Sequence, residues 1–491
     1  MKLFSCARAA FFAGICSFGL IAIFTAVGAQ ENYDVVIANG RVMDPESGLD
    51  AVRNVGIIAG KIRAVSTSEL SGKTTIDATG LVVAPGFIDL HEHGQTNEKY
   101  RYQAHDGVTT SLELERGTDD VDAWYAAREG KSLINFGVSI GHIPVRMRVM
   151  HDPGTFLPVG DAAHREATPE ELAEIEQGIE TGLQRGALAV GMGIAYTPAA
   201  TRWEILQVFR SAAKYQAPVH VHIRYAGLQK PETGLAALQE VIADAAVTGA
   251  PLHVVHVTSM GLKDTPQLIA MIEAAQKRGL DVTTECYPYT ASSTGIESAI
   301  FDEGWQERLG ITYHDLEWSA TGERLTPETF AKYRKQGGNV VIFDIPDDAA
   351  RAAVADPMVM IASDGIWTDG PNIHPRGQGT YSRVLGYYVR EEKALSLMTA
   401  LRKMTLMPAQ RLEKHAPAFR DKGRIRVGAD ADITVFNPDT VIDRATYEHP
   451  LQYSEGIQFV LVNGTLVLKD GKLVEGVFPG RPVRAPITRA K

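Results

Sequence analysis

HVVHVTSMG, residues 253–261, carries two histidines at the end of an apolar run. HEHG at 91–94 and HVHIR at 220–224 repeat the arrangement, each closing an apolar run of its own. Three strand-like segments that all end in imidazole ask for a fold that gathers strand ends in one place. The central part of the sequence supplies one. Apolar strand-like runs recur near 86–93, 107–115, 133–142, 187–195, 217–224, 251–258, 281–287 and 358–364, and helix-like stretches separate most of them. The clearest helix opens at Thr168-Pro169-Glu170-Glu171 and continues to about Gln184. It starts with a capping box and has proline at its first helical position.

Strands alternating with helices imply parallel crossovers, and eight of them close naturally into a (β/α)8 barrel, a TIM-like α/β fold. In such a barrel the working face is the rim at the C-terminal ends of the strands. His91 and His93 would then end the first strand, His222 the fifth, His256 the sixth and Asp364 the eighth. All would converge on one mouth. The segment from about 294 to 350 is too long for a plain crossover, so it reads as an inserted lid subdomain.

The two ends of the sequence have another rhythm. YDVVIANGRVMD (33–44), VRNVGIIAGKIRAV (52–65) and KTTIDATGLVVAPG (73–86) alternate apolar and polar residues between Gly and Asp breaks. GRIRVGADADITVFNP (423–438) and QFVLVNGTLVLKDGKLV (458–474) do the same. Neither end can bury a core alone, so 30–85 and 422–491 should pair into one small β-sandwich. That leaves 86–421 for the barrel.

Of the 491 residues, 45% are apolar and 22% charged, ordinary values for a globular protein. A net charge of −10 gives no electrostatic support to a nucleic-acid role. Residues 1–29 read as a cleaved export signal: Lys2 and Arg8 precede an apolar stretch that ends in VGA. The competing reading is a membrane anchor. After cleavage no membrane contact is expected, and Cys286 is left as the single cysteine, which suits a periplasmic location.

The His-x-His spacing has a direct chemical meaning. Side chains two apart on a strand share a face, so His91 and His93 can reach one ion while Glu92 points away. Imidazole is a good ligand for zinc and related metals. Of the pairs in HVH and HVVH, the residue nearer the rim should reach the mouth. That selects His222 and His256, and leaves His220 and His253 buried and hydrogen-bonded inside the barrel.

IDATGLVVAPGFIDLHEHG resembles the first-strand signature of the amidohydrolase superfamily. Further stretches resemble its N-acyl-D-amino-acid deacylase (D-aminoacylase) branch: GHIPVR (141–146), GMGIAYTP (191–198), HIRYAG (222–227), CYPYTASST (286–294), ASDG (362–365) and HPRGQGTYSRVLGYYVRE (374–391). The resemblance implies a zinc enzyme, with one or two ions, that hydrolyses a small-molecule N-acyl amino acid. It assigns His91, His93, His222 and His256 as metal ligands and Asp364 as ligand and proton shuttle. Arg376 would clamp the substrate carboxylate. Tyr287 and Ser293 would line the same end of the pocket, and Tyr196 would contact substrate.

Two departures from that pattern matter. The deacylases carry a bridging cysteine after GVTT, and many relatives use a fourth-strand lysine; GVTTSLELERG (107–117) and GALAVGMGI (186–194) have neither. Glu113 and Glu115 are the replacement candidates, with Glu115 preferred because it lies nearer the mouth. The deacylases also have a lysine two residues after the sixth-strand histidine, where this sequence has Thr258. Arg376 would then hold the anion alone, or with help from Arg224, which could equally serve a structural ion pair. His142, ending the third strand, is a further substrate-contact candidate. A dipeptidase or cyclic amidase of the same superfamily is the alternative activity. A non-catalytic hydantoinase-like binder fits poorly, because such proteins usually lose these ligands. Oligomeric state is left open.

Overall fold

The computed structural model describes residues 32–227, 232–366 and 373–488. The export segment read at 1–29 lies outside them. Eight parallel strands form the central sheet: β1 (Phe87–Asp89), β2 (Val108–Thr118), β3 (Asn135–Gly141), β4 (Val190–Gly193), β5 (Val219–His222), β6 (Leu252–Val254), β7 (Val282–Cys286) and β8 (Val359–Ile361). Each coincides with one of the apolar runs read from the sequence. The barrel closes just beyond the ends of β1 and β8. The Asp364 amide donates to the His91 carbonyl at 2.7 Å, and the His93 amide donates to the Gly365 carbonyl at 2.9 Å.

Helices cover the outside. Pro169–Gln184 forms as expected: the Thr168 hydroxyl accepts from the Glu171 amide at 3.2 Å, and the Glu171 carboxylate accepts from the Thr168 amide at 2.8 Å. Among the described residues no helix is long and apolar enough to cross a membrane.

The two ends of the sequence meet in one nine-stranded mixed sheet. Val82–Pro85 is its seam, parallel to Asn32–Asp44 on one side and antiparallel to Ile433–Phe436 on the other. Its own core includes Ile37, Val55, Val83, Ile433 and Leu461. Between β7 and β8 the chain leaves the barrel and builds a four-stranded antiparallel sheet from Ser292–Gly295, Leu316–Trp318, Glu323–Arg324 and Asn339–Ile342. Trp305, Trp318, Phe330 and Tyr333 fill the core of this insertion. It stands beside the barrel mouth.

A buried polar knot ties the terminal sheet to the barrel. The Lys422 ammonium pairs with Asp432 at 2.7 Å and Asp430 at 3.0 Å. Asp432 also accepts from the Asn135 amide group of β3 at 3.0 Å and from the Asn463 backbone at 2.7 Å. Removing one partner of a buried ion pair strands the other charge, which costs about 3–5 kcal/mol. Lys422→Met should therefore lower the unfolding free energy by about 3 kcal/mol in denaturant titration. A midpoint equal to the parent's would show that the knot contributes nothing.

Candidate metal centre

The strand tips carry the site. His222 is the last residue of β5, and His256 lies two residues past β6. His91 and His93 follow β1, and Asp364 lies just past β8. His256 and Asp364 both have positive φ, 33° and 50°. Such backbone costs a non-glycine residue about 1–3 kcal/mol and persists only where surrounding structure enforces it. Here it swings both side chains inward over the rim.

The inward groups crowd together. Nε2 of His91 lies 3.2 Å from Nε2 of His93 and 3.3 Å from Oδ1 of Asp364. His93 Nε2 is 3.5 Å from Asp364 Oδ1 and 3.7 Å from Glu115 Oε2. His222 Nδ1 is 3.6 Å from Glu115 Oε1, and the His222 and His256 rings meet at 4.6 Å. Three sets of residues each bring their ligand atoms within 4.8 Å of one another: His91, His93 and Glu115; His91, His256 and Asp364; and Glu115, His222 and His256.

Two further observations show that these residues fit a metal. Glu115 Oε1 and His222 Nε2 are buried with no hydrogen-bond partner among the described residues, so the donor set is incomplete by itself. The set is nitrogen and carboxylate oxygen, the ligand chemistry of zinc and its neighbours. The two Glu115 oxygens face different histidines, Oε2 towards His93 and Oε1 towards His222.

Electrostatics point the same way. Burial lifts the Glu115 carboxyl to about 7. Burial works against a charged His91, but the Asp364 and Glu285 carboxylates outweigh it and raise the imidazole to about 9. Burial likewise opposes ionisation of Asp364, yet Arg376 and His91 prevail and hold it far below the usual carboxylate range.

Glu113 is not part of the inward set. Residues two apart on a strand are separated by about 6.6 Å, so the lower carboxylate reaches only the back of the cluster. Its Oε2 lies 2.7 Å from His93 Nδ1, and its Oε1 accepts from the Arg116 and Gly117 amides at 3.2 and 3.3 Å. It holds the far nitrogen of His93. Glu285 does the same for His91, at 2.7 Å from Nδ1, and Ser259 for His256, at 3.0 Å. Sequence reading passed over both. Glu285 immediately precedes the CYPY motif, and a carboxylate in an apolar barrel strand was the available signal. His220 is buried as expected, but neither ring nitrogen has a hydrogen-bond partner among the described residues; its ring instead packs against His253, tilted, at 4.4 Å.

A cavity of about 270 Å³ opens over the cluster. Arg376, Tyr196, Tyr287 and Ser293 line it, together with apolar residues such as Phe156, Met260 and Leu309. The Arg376 guanidinium is 1% exposed and sits over the Tyr287 ring at 4.6 Å. One of its nitrogens, Nη2, lies 3.0 Å from Asp364 Oδ2 and 3.3 Å from the Ser293 carbonyl. Its Nε and Nη1, and the Tyr287 hydroxyl, are buried with no partner among the described residues. The Tyr196 hydroxyl meets Thr294 of the insertion at 3.0 Å.

Two expected substrate contacts are corrected. The Arg224 guanidinium is consumed by Glu240 at 2.7 and 2.9 Å and by the Pro198 and Ala200 carbonyls, both at 3.0 Å. It faces a neighbouring cleft and not this cavity. His142 is fully buried, with Nε2 2.8 Å from the Glu204 carboxylate that also pairs with Arg146. Both are structural ion-pair partners.

Comparison with known proteins agrees with this geometry. The amidohydrolase family model matches residues 147–474. N-acyl-D-glutamate deacylase of Alcaligenes xylosoxydans xylosoxydans is 30% identical over 482 residues, covering 89% of this chain and 94% of that protein. D-aminoacylase of the same organism is 29% identical, covering 90% and 96%. The crystal structure of N-acyl-D-glutamate deacylase from Bordetella bronchiseptica, complexed with zinc and a phosphonate inhibitor, superposes with a TM-score of 0.78. It is 28% identical, with 93% of this chain and 100% of that one covered. The chain belongs to the amidohydrolase family. It is a metal-dependent amidohydrolase acting on C–N bonds, similar to the N-acyl-D-amino-acid deacylases.

Removing the shared carboxylate should be felt by the metal directly. Glu115→Ala should lower the bound metal per chain to roughly half or less in elemental analysis. A ratio equal to the parent's would remove Glu115 from the ligand set. Arg224→Met should lower the melting temperature but leave KM within about two-fold, because it touches no substrate.

Proposed function

We propose that this enzyme hydrolyses N-acyl-D-amino acids to a carboxylate and a free D-amino acid, with zinc held at the barrel mouth. One observation carries the reading. A fully buried guanidinium, with two donors that meet no partner among the described residues, faces the same cavity as an incomplete metal-ligand cluster. A substrate with one carboxylate and one amide a short distance away matches both. The relatives named for N-acyl-D-glutamate and for D-aminoacylase activity support the amide and the chirality.

His91, His93, Glu115, His222 and His256 would hold the metal, with Asp364 as a further potential ligand. Bound there, the metal supplies Lewis acidity, which acidifies a water molecule and polarises the scissile carbonyl. Asp364 supplies the proton chemistry. Arg376 fixes its Oδ2, while Oδ1 faces the His91 and His93 nitrogens. Because it is held ionised, Asp364 takes the proton from the attacking water. It then returns that proton to the amine nitrogen as the C–N bond breaks, which turns a poor leaving group into a good one.

Arg376 is the only Lys or Arg among the described residues that line the cavity. With Thr258 in place of a lysine, it receives the substrate carboxylate on Nε and Nη1, beside the Tyr287 hydroxyl. Holding that anion sets the amide over the cluster and spares the orientational cost of the reaction. The apolar wall takes the acyl and side-chain groups and excludes water.

Incubation of zinc-loaded protein with a panel of N-acyl-D- and N-acyl-L-amino acids, dipeptides and cyclic imides tests the reading. Amine release from the D-series is expected, and release only from dipeptides or imides would overturn it. Asp364→Asn should keep the fold and metal content but lose at least about 100-fold in kcat, the usual contribution of a positioned acid–base group. Arg376→Met removes a charge-assisted contact of about 1.5–3 kcal/mol and should lower kcat/KM by about 10- to 100-fold.

A further inference from the structure

We propose that Glu285 is a positioning residue for the metal centre, the last link in a directed series of hydrogen bonds that fixes which nitrogen of His91 is offered to the metal. The proposal rests on the metal reading above. The series starts at the barrel floor. Arg411 Nη1 lies 2.7 Å from Asp281 Oδ1 and 3.3 Å from Thr283 Oγ1. Thr283 Oγ1 lies 2.8 Å from His253 Nδ1, and His253 Nε2 lies 3.0 Å from Glu285 Oε2. Glu285 Oε1 lies 2.7 Å from His91 Nδ1. His91 Nε2 then faces His93 and Asp364. His253, Glu285 and His91 are each no more than 1% exposed.

The direction follows from what each group can do. A guanidinium only donates, so Thr283 Oγ1 accepts from Arg411 and has one proton left to give. Its other acceptor, the Leu252 carbonyl, is 3.5 Å away, so the proton goes to His253 Nδ1 at 2.8 Å. His253 is then protonated on Nε2 and donates to Glu285. An ionised carboxylate only accepts, so His91 Nδ1 must also donate. In the neutral ring that a metal would bind, that leaves the lone pair of His91 on Nε2, the atom that faces the cluster. The first histidine of HVVH thus has a task although it never reaches the mouth. His220, packed against His253 at 4.4 Å, keeps that ring in place.

Glu285→Gln puts an amide between the two rings. A glutamine can accept from one imidazole but must donate to the other. Either His253 must change tautomer against Thr283, or the His91 proton moves to Nε2 and blocks the ligand atom. Loss of such an outer hydrogen bond costs about 10- to 100-fold in metal affinity.

Zinc affinity of the full-length protein, measured by competition with a chromophoric chelator, tests this without reference to turnover. Glu285→Gln should bind zinc about 10- to 100-fold more weakly than the parent. Glu204→Gln alters a buried His–Glu pair outside the metal centre and should bind as the parent does. Melting of the metal-free proteins should show that Glu285→Gln and Glu204→Gln lose similar stability. Parent-like affinity in Glu285→Gln would overturn the proposal. Should that variant fail to fold, Thr283→Val decides: weaker zinc binding is expected, and parent-like affinity overturns the proposal. A parent that binds no zinc at all would instead sink the metal reading itself.

Discussion

Two backbone hydrogen bonds decide the rest of the site. Where β1 and β8 run out, the His91 carbonyl accepts from Asp364 and the His93 amide donates to Gly365. The carboxylate of Asp89, at the end of β1, accepts from the His91 and Ser363 amides at 3.1 and 3.0 Å and draws the two tips together. Without this closure, the first and last strands of the barrel would leave a gap where the ligands must meet. With it, two histidines and the proposed proton carrier stand side by side. The left-handed backbone of Asp364 has a cost, and these bonds hold it there.

The closed rim creates an electrostatic problem that the protein itself does not resolve. Several imidazoles and two carboxylates are packed into one buried mouth. Arg376 neutralises part of this charge through Asp364. Glu115 meets only the His93 and His222 rings among the described residues, at 3.7 and 3.6 Å, and burial pushes its carboxyl towards neutrality. A divalent cation reverses that balance, because it favours ionised carboxylates and neutral imidazoles together. Outer groups meanwhile hold the far nitrogens of His91, His93 and His256, so the inner ones cannot rotate away.

What was legible in the sequence follows the same physics. Strand-end histidines could be read because period-two alternation and the barrel rule fix both face and end. The preference for Glu115 over Glu113 was likewise a matter of height on one strand. Arg224 and His142 could not be assigned in this way. Their partners Glu240 and Glu204 lie 16 and 62 residues away in sequence, and only the folded helices bring them near. An arginine beside a metal histidine looks like a substrate clamp until its carboxylate is seen. Glu285 was missed for a related reason: its partners His91 and His253 sit on other strands, 194 and 32 residues away. His220 shows a different limit. Burial was predictable, but a tilted ring contact in place of a hydrogen bond was not.

The absence of a fourth-strand lysine and of a second-strand cysteine now has a single spatial account. A side chain at Gly193, on β4, would place its Cβ 3.1 Å from Glu115 Oε1 and 2.7 Å from the Tyr196 ring. A side chain at Gly191 would meet the Glu115 backbone carbonyl at 2.3 Å. The fourth strand is therefore bare where it faces the cluster, and the carboxylate of β2 fills that room. A glutamate reaches further than a cysteine, and from β2 its two oxygens extend to within 3.7 Å of His93 and 3.6 Å of His222. Gly191 is held bare by the β2 backbone and Gly193 by the Glu115 carboxylate with its Tyr196 and Ile143 neighbours, so β4 gives up its side chains where β2 reaches across.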